Sequence, residues 1–396
     1  LASILPLQED IIDFVIIGAG MAGASAAYFL ARESEGAAKN SVLLLEMEAQ
    51  PGYHTTGRSA ALYTEAYGNA AIRALTSAGR AFLLAPPDGF TDTPLLTPRG
   101  VMFIGREDQR AALDEVFTSA ALHVDSMHRL SEADLRGRVP VVRPGYAAAG
   151  VLEAEAMDMD VNALHQGFLR GAHRHGAVLR TNARVDDLTR RDDAWRISTG
   201  NGEIVAKVVI NAAGAWCDQI AALAGAEAVG LVPKRRTAIL FDGPSEEAFA
   251  AWPALIDADE EFYARPESGA LMGSPADETP MEPCDVQPDE LDIAIAVDRL
   301  QRATSLEIPR IIRSWAGLRS FVEDKTPVVG FDPKLDGFFW LAGQGGYGIQ
   351  TAPSMGRASA ALAMGRSIPD DLKAFGVAAA DLSPARAALR DGKDCA

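Results

Sequence analysis

The chain has 396 residues, 48% of them hydrophobic, which is material for two or three domains with cores of their own. Thirty-seven basic against 54 acidic side chains leave a formal charge of −17, so bulk attraction to nucleic acid or to an anionic membrane is excluded. Cys217, Cys284 and Cys395 share no CxxC spacing; no metal site or disulfide framework is expected, and reduced thiols fit a cytoplasmic protein.

Leu1–Asp10 lacks the basic region that opens a secretory signal. The uncharged stretch Phe14–Ala31 reaches the roughly 18 residues of a membrane span, but Gly18, Gly20, Gly23 and Ser25 interrupt it. It reads better as a buried strand, Phe14–Ile17, a turn Gly18-Ala19-Gly20-Met21-Ala22-Gly23, and an Ala-rich helix. A second apolar run, Val42–Leu45, ends in Glu46, near the spacing at which an acid accepts the ribose hydroxyl of a dinucleotide. In that reading Gly18 makes the tight turn, Gly20 admits the pyrophosphate and Gly23 lets helix and strand pack closely. The small and hydroxyl residues of Gly52–Ala61 continue the cradle, with Arg58 and Ser59 reaching phosphate and Ala60 beside them.

Further along, Asp160 caps a helix that faces inward through Leu164, Phe168, Leu169 and Ala172 and ends at Gly176. Ala177–Leu179 and Arg184–Leu188 read as strands, the latter containing Val185. A hairpin follows, Trp195–Thr199 and Ile204–Val208 around Gly200-Asn201-Gly202. Val208–Ile210 then enters a second small-residue turn holding Ala213, Gly214 and Trp216. From about Leu231 the pattern changes to short strands at Thr237–Phe241, Phe262–Ala264 and Leu271–Gly273. Pro280, Pro283 and Pro288 in an acidic stretch predict a surface excursion before an amphipathic helix from about Glu290 to Thr304. Phe338–Ala342 is a strand entering Gly343–Gly348, and Pro353 opens a last Ala-rich helix.

GAGMAGAS, PGYHTTGRSAALYTEAYG, NAAGAWCD, PKRR, EEFYARP, SWAGLRSF and GQGGYGIQT stand in this order along nearly the whole chain. Together they resemble the D-amino-acid oxidase superfamily of flavoproteins, most closely its D-arginine dehydrogenase branch. The resemblance implies an α/β fold: a Rossmann-type FAD-binding domain with an interleaved, mixed-sheet (α+β) substrate domain. Residues 11–60, 150–230 and 325–370 would form the first, residues 61–149 and 231–324 the second, and 371–396 a C-terminal tail. It also implies FAD, held without a covalent bond because no cysteine lies near Arg319 or Gly345, and oxidation of a Cα–N bond by hydride transfer to flavin N5. The imino acid would hydrolyse to a 2-oxo acid and ammonia. The partners implied are a small amino-acid substrate and an electron acceptor that the sequence does not identify.

By the same resemblance Arg319 and Arg236 match a carboxylate clamp, for which parallel guanidinium donors are suited. Tyr67 and Tyr263 match pocket aromatics, and Gly345, Gly346, Tyr347, Gly348, Ile349 and Gln350 match the loop at the flavin ring and substrate amine. Leu62, Thr64, Val101 and Gly317 match the substrate pocket. Two of these depart from the branch: Val101 stands where it carries an acid, and Leu62 where it carries an imidazole. An apolar residue does not stabilise a buried guanidinium, so a neutral or apolar D-amino acid is expected rather than D-arginine. Open alternatives are an oxidase or dehydrogenase of glycine, sarcosine or another secondary amine, a 2-hydroxy-acid dehydrogenase, and a non-catalytic flavin-binding subunit.

Overall fold

A computed structural model describes residues 11–33, 40–121, 124 and 126–389. Cys395 and Leu1–Asp10 lie outside the described residues. The strand Ile12–Ile17 is central in an eight-stranded sheet, parallel to Val42–Leu45 on one side and Gly202–Asn211 on the other. Val178–Arg180 extends it beyond Val42–Leu45, and Phe338–Ala342 pairs in parallel with the end of Gly202–Asn211. The expected hairpin is present, Ala194–Thr199 pairing antiparallel with Gly202–Asn211. Val15 and Ile16 are wholly buried because layers cover both faces of this sheet, as a continuous apolar strand requires.

On one face lies the helix Met21–Arg32, packed between helices Val161–Arg174 and Ala352–Ala363. Small residues set these spacings: a Cβ on Gly171 would come within 2.5 Å of the Tyr28 ring, and one on Gly356 within 2.8 Å of Ser25. Asp160 caps its helix by accepting the N–H of Ala163 at 2.8 Å.

A second sheet of nine strands runs through Thr279–Pro280, Val232–Phe241, Ala270–Ser274, Tyr263–Glu267, Ala254–Asp257, Val101–Gly105, Ala149–Glu153 and Met127–Ser131, with Ile311–Phe321 also paired to Val232–Phe241. It is mixed: Ala254–Asp257 runs parallel to Val101–Gly105, whereas the other pairings are antiparallel. Leu62–Tyr63, Met157–Met159 and Leu96–Pro98 form a small third sheet. The fold is thus the α/β arrangement with a mixed second sheet that the resemblance implies.

Residues 374–389 stay on the body, with Val377, Leu382 and Leu389 buried and Arg386 pairing with Asp324 at 2.7 Å. Among the described residues no helix is long and apolar enough to cross a membrane.

Candidate active site

Four parallel strands of the first sheet end at one edge, at Ile17, Leu45, Asn211 and Ala342. The loops leaving them form a cleft at the carboxyl ends of the strands, where open α/β sheets bind ligands. A cavity of about 470 Å³ begins there and continues to the second sheet. One end is walled by Glu46, Ala183, Val185, Ile220 and Leu223, and the other by Arg236, Arg319, Tyr263, Glu260 and the 344–350 loop.

At the dinucleotide end the glycine turn is tightly fitted. Gly18 has φ +100°, and a Cβ there would meet the Ala212 carbonyl oxygen at 2.5 Å. Gly23 packs against Gly18 so closely that a Cβ would lie 1.9 Å from its carbonyl oxygen. The Glu46 carboxylate, buried at the end of its strand, accepts the N–H of Ala19 at 3.0 Å and of Glu48 at 3.0 Å. His165 reaches the Ala19 carbonyl at 2.9 Å from beneath, and burial holds its imidazole below the usual value. Gly18, Gly20, Met21 and Ala22 line the cavity, as do Ser59, Ala60, Val185, Ala213, Gly214 and Trp216. Ala19 and Gly23 stand behind that wall, as supports of the turn.

Arg58 departs from expectation. It lines the cavity, but its guanidinium donates to the Val286 carbonyl at 2.8 Å and pairs with Asp285. The acidic stretch read as a surface excursion is therefore a source of counter-charges. Asp285 holds Arg58, Glu278 pairs with Lys234 at 2.8 Å and Arg236 at 3.1 Å, and Asp277 lies 3.6 Å from Arg235. Thr279–Pro280 also joins the sheet beside Lys234 and Arg235.

At the other end, neighbouring antiparallel strands place Arg236 opposite Gly317 and Lys234 opposite Arg319. With side chains alternating every second residue, Arg236 and Arg319 share one face diagonally. Their circumstances differ. Arg236 is 7% exposed and already engaged, through Glu278 and the Asp277 carbonyl at 2.9 Å. Among the described residues no carboxylate lies within ion-pair distance of Arg319, which faces the cavity with its charge uncompensated by any direct partner. Burial works against that charge, but the nearby Tyr263, Tyr67 and Glu260 outweigh it and hold the guanidinium above its ordinary value.

The two pocket tyrosines are driven apart. Burial would raise Tyr263, but Arg319, Arg236 and a hydrogen bond with Ser274 outweigh it and hold the phenol below its ordinary value. Burial, then the Glu260 charge, push Tyr67 up. Tyr67 donates to Glu260 at 3.4 Å and rests on Tyr347, ring centroids 5.0 Å apart. Burial likewise raises Tyr347, which supports Tyr67 from behind the cavity wall. Gly346 meets Arg319 directly: a Cβ would lie 3.0 Å from Nη1. Gly345, with φ +53°, has the Phe321 ring where a Cβ would stand. Gly348 and Ile349 complete this wall.

Leu62, Thr64 and Gly317 line the cavity, whereas Val101 does not. Val101 is wholly buried in an apolar layer with Phe103, Val151 and Ala254, so its lack of charge says nothing direct about the substrate. Gln350 is on the wall, but its amide is occupied. It donates to Thr76 Oγ1 at 2.9 Å and the Thr64 carbonyl at 3.3 Å, which makes it a brace between two pocket loops.

Glu260 is a cavity-wall carboxylate near Arg319 that sequence reasoning missed. It has φ +56°, a strained conformation for a side chain with a Cβ, in a turn held by Asp257, whose carboxylate accepts N–H groups of Asp259 at 3.0 Å and Glu261 at 3.3 Å. The strained turn carries a carboxylate on the cavity wall near Arg319. Glu260 opens EEFYARP, from which only Tyr263 was singled out.

FAD fits this arrangement. A glycine turn admits phosphate at a helix N-terminus, a buried acid ends the adjacent strand, and one cavity joins both to a second glycine-rich loop beside Arg319. The family model described as FAD dependent oxidoreductase, DAO, matches residues 13–362. The uncharacterized oxidoreductase YurR of Bacillus subtilis is 24% identical over 387 residues, covering 93% of this chain and 99% of that protein. Among solved structures, L-proline dehydrogenase from P. horikoshii superposes with a TM-score of 0.79 at 18% identity, over 98% of this chain and 99% of its own. Glycine oxidase from Geobacillus kaustophilus does so with a TM-score of 0.78 at 20% identity, over 92% and 97%.

Proposed function

The chain belongs to the DAO family of FAD-dependent oxidoreductases, and on that premise we propose that it oxidises the Cα–N bond of a D-amino acid with a neutral or apolar side chain. The observation that carries the proposal is Arg319: a cationic clamp residue facing the cavity with no carboxylate of the chain paired to it, beside Tyr263, Tyr67 and Gly346. A half-buried cation facing a cavity without a partner is poorly compensated once a ligand displaces water, and a substrate carboxylate supplies that partner.

Arg319 binds the carboxylate with two parallel donors, and Arg236, restrained by Glu278, adds field rather than a free fork. Tyr263 stands within the field of both guanidiniums and orients the same carboxylate. Glu260 takes the substrate amine: one ammonium N–H bond breaks, an O–H bond forms on the Glu260 carboxylate, and the nitrogen lone pair is freed. Tyr67, donating to Glu260, holds that carboxylate in place. Leu62, Ile256 and Phe262 supply an apolar wall for the side chain. FAD, when bound, supplies the two-electron acceptor that no side chain provides. Water then converts the released imino acid into 2-oxo acid and ammonia.

The non-covalent state of FAD belongs to the same proposal, as do the division into FAD-binding segments 11–60, 150–230 and 325–370 with substrate-binding segments between them, and a cytoplasmic setting. Incubation of the FAD-loaded protein with D-leucine, L-leucine, D-methionine or D-arginine, in the presence of oxygen and an excess of an artificial two-electron dye acceptor, tests it. One 2-oxo acid and one ammonia per D-leucine or D-methionine, with L-leucine inert and D-arginine slower, supports the reading. D-Arginine turned over as well as D-leucine removes the side-chain assignment.

A second reading is supported by the similar folds whose names specify glycine and L-proline. Glycine or a secondary amine would use the same Arg319 clamp, and turnover of sarcosine with none of D-leucine would favour it.

A further inference from the structure

Glu153 is among the most deeply buried charged side chains of the chain, 1% exposed, and it lies outside the cavity. Its strand places it between Val101 and Met127 on the neighbouring strands, on the face that packs into an apolar layer. A carboxylate in such a layer is costly unless its oxygens are engaged. Its hydrogen bonds go to one segment: Thr64 Oγ1 donates to Oε2 at 2.5 Å, and the Glu65 N–H donates to Oε1 at 2.8 Å. That segment, Thr64–Tyr67, carries two side chains of the cavity wall. From the other side it is braced by Gln350, which bonds both the N–H (3.4 Å) and the carbonyl (3.3 Å) of Thr64.

We propose that Glu153 is a positioning residue for substrate binding: its ionised carboxylate fixes the Thr64–Tyr67 segment against the glycine-rich loop, and its protonation loosens that segment. The inference rests on the proposed function only in taking Thr64 and Tyr67 as part of the substrate wall. When the carboxyl is protonated on Oε2, the bond to Thr64 reverses, the carboxyl donating and the hydroxyl accepting, and the Glu65 N–H is left with a neutral acceptor, so the anchor loses its charge assistance and weakens.

The surroundings set where this happens. Burial pushes the Glu153 carboxyl up to about 7, opposed by hydrogen bonds from Thr64, Glu65 and Ala66 and reinforced by the Glu65 charge. The titratable groups facing it are Glu65 and, beyond, Tyr63, which donates to Glu65. Arg80, from helix Ala70–Leu84, lies 3.6 Å from Glu65 and shares its charge with Glu155 at 2.8 Å. The flanking strands present only Val101 and Met127, and the glycine-rich loop presents the neutral Gln350. The fixed state therefore prevails above about pH 7 and the loosened state below it.

The test uses holoenzyme and the non-reactive carboxylate 3-methylbutanoate, which lacks an amine and does not titrate between pH 6 and 8. Its Kd is read from the perturbed flavin absorbance. If only the ionised form binds well, Kd rises about tenfold from pH 8 to pH 6, because the competent fraction falls from ten elevenths to one eleventh. In Glu153→Gln this dependence is expected to vanish, with Kd at pH 8 weaker than in the unsubstituted enzyme and KM raised more than kcat is lowered. Thr64→Val keeps the acid but removes a donor that favours its ionised form, so the midpoint should move upward. A pH dependence retained in Glu153→Gln, its absence from the unsubstituted enzyme, or an unmoved midpoint in Thr64→Val overturns the inference. Should D-leucine not be oxidised while the pH-dependent binding and its loss in Glu153→Gln hold, the proposed function fails and this inference stands.

Discussion

Replacing Arg319 by alanine separates a binding group from a structural one. Arg319 has no ion-pair partner among the described residues, so its removal strands no buried anion, and the space it leaves adjoins a cavity. Folding stability should therefore change little. Binding should suffer, because the substrate carboxylate loses its fork while Arg236 remains tied to Glu278 at 3.1 Å and cannot swing across. Loss of one member of a buried charge pair costs about 2–5 kcal/mol. At about 1.36 kcal/mol per tenfold, kcat/KM should fall by about 30-fold to several thousand-fold. Arg319→Lys, with charge but no parallel donors, should lie between. A tyrosine readout runs alongside: Arg319 is the larger of the two guanidinium influences holding the Tyr263 phenol below its ordinary value. In Arg319→Ala that phenol should ionise at higher pH, measured as the ultraviolet tyrosinate difference against Tyr263→Phe. Unchanged kcat/KM, or a large fall in melting temperature with no loss of activity in the folded fraction, would refute the reasoning.

The opposite pattern is expected for Arg235, whose Nη2 pairs with Asp292 at 2.8 Å and whose Nε lies 3.6 Å from Asp277. Arg235→Leu leaves two largely buried carboxylates uncompensated and should cost about 3–5 kcal/mol of stability by denaturant titration; a loss below 1 kcal/mol would contradict this. Glu260→Gln should lower turnover most at low pH, where substrate arrives as ammonium and needs a proton acceptor; a uniform loss across pH would assign Glu260 to binding alone. Acid precipitation should leave colourless protein and yellow supernatant, and flavin remaining with the pellet would show a covalent link.

Local patterns made the first sheet legible. Four consecutive apolar residues before a glycine turn, an acid ending the next strand, and a Gly-Asn-Gly hairpin each constrain their own neighbourhood. Arg236 and Arg319 were legible through the resemblance carried by PKRR and SWAGLRSF, whereas the antiparallel pairing that puts them on one face was not. What escaped reading depends on distant partners. Arg58 resembles a phosphate ligand until Asp285, more than two hundred residues later, is seen to hold it. Gln350 resembles a substrate contact until Thr64 and Thr76 are seen to occupy its amide. Val101 was assigned to the pocket by position, yet the pleat turns it into an apolar layer, while the pocket carboxylate comes from the strained turn at Glu260.

The most direct test of the central claim is an anaerobic visible spectrum of the purified holoenzyme during titration with matched D- and L-leucine. The account predicts that the oxidised-flavin band bleaches with the D-isomer and not with the L-isomer. A band unchanged by both, or bleached equally by both, would contradict it.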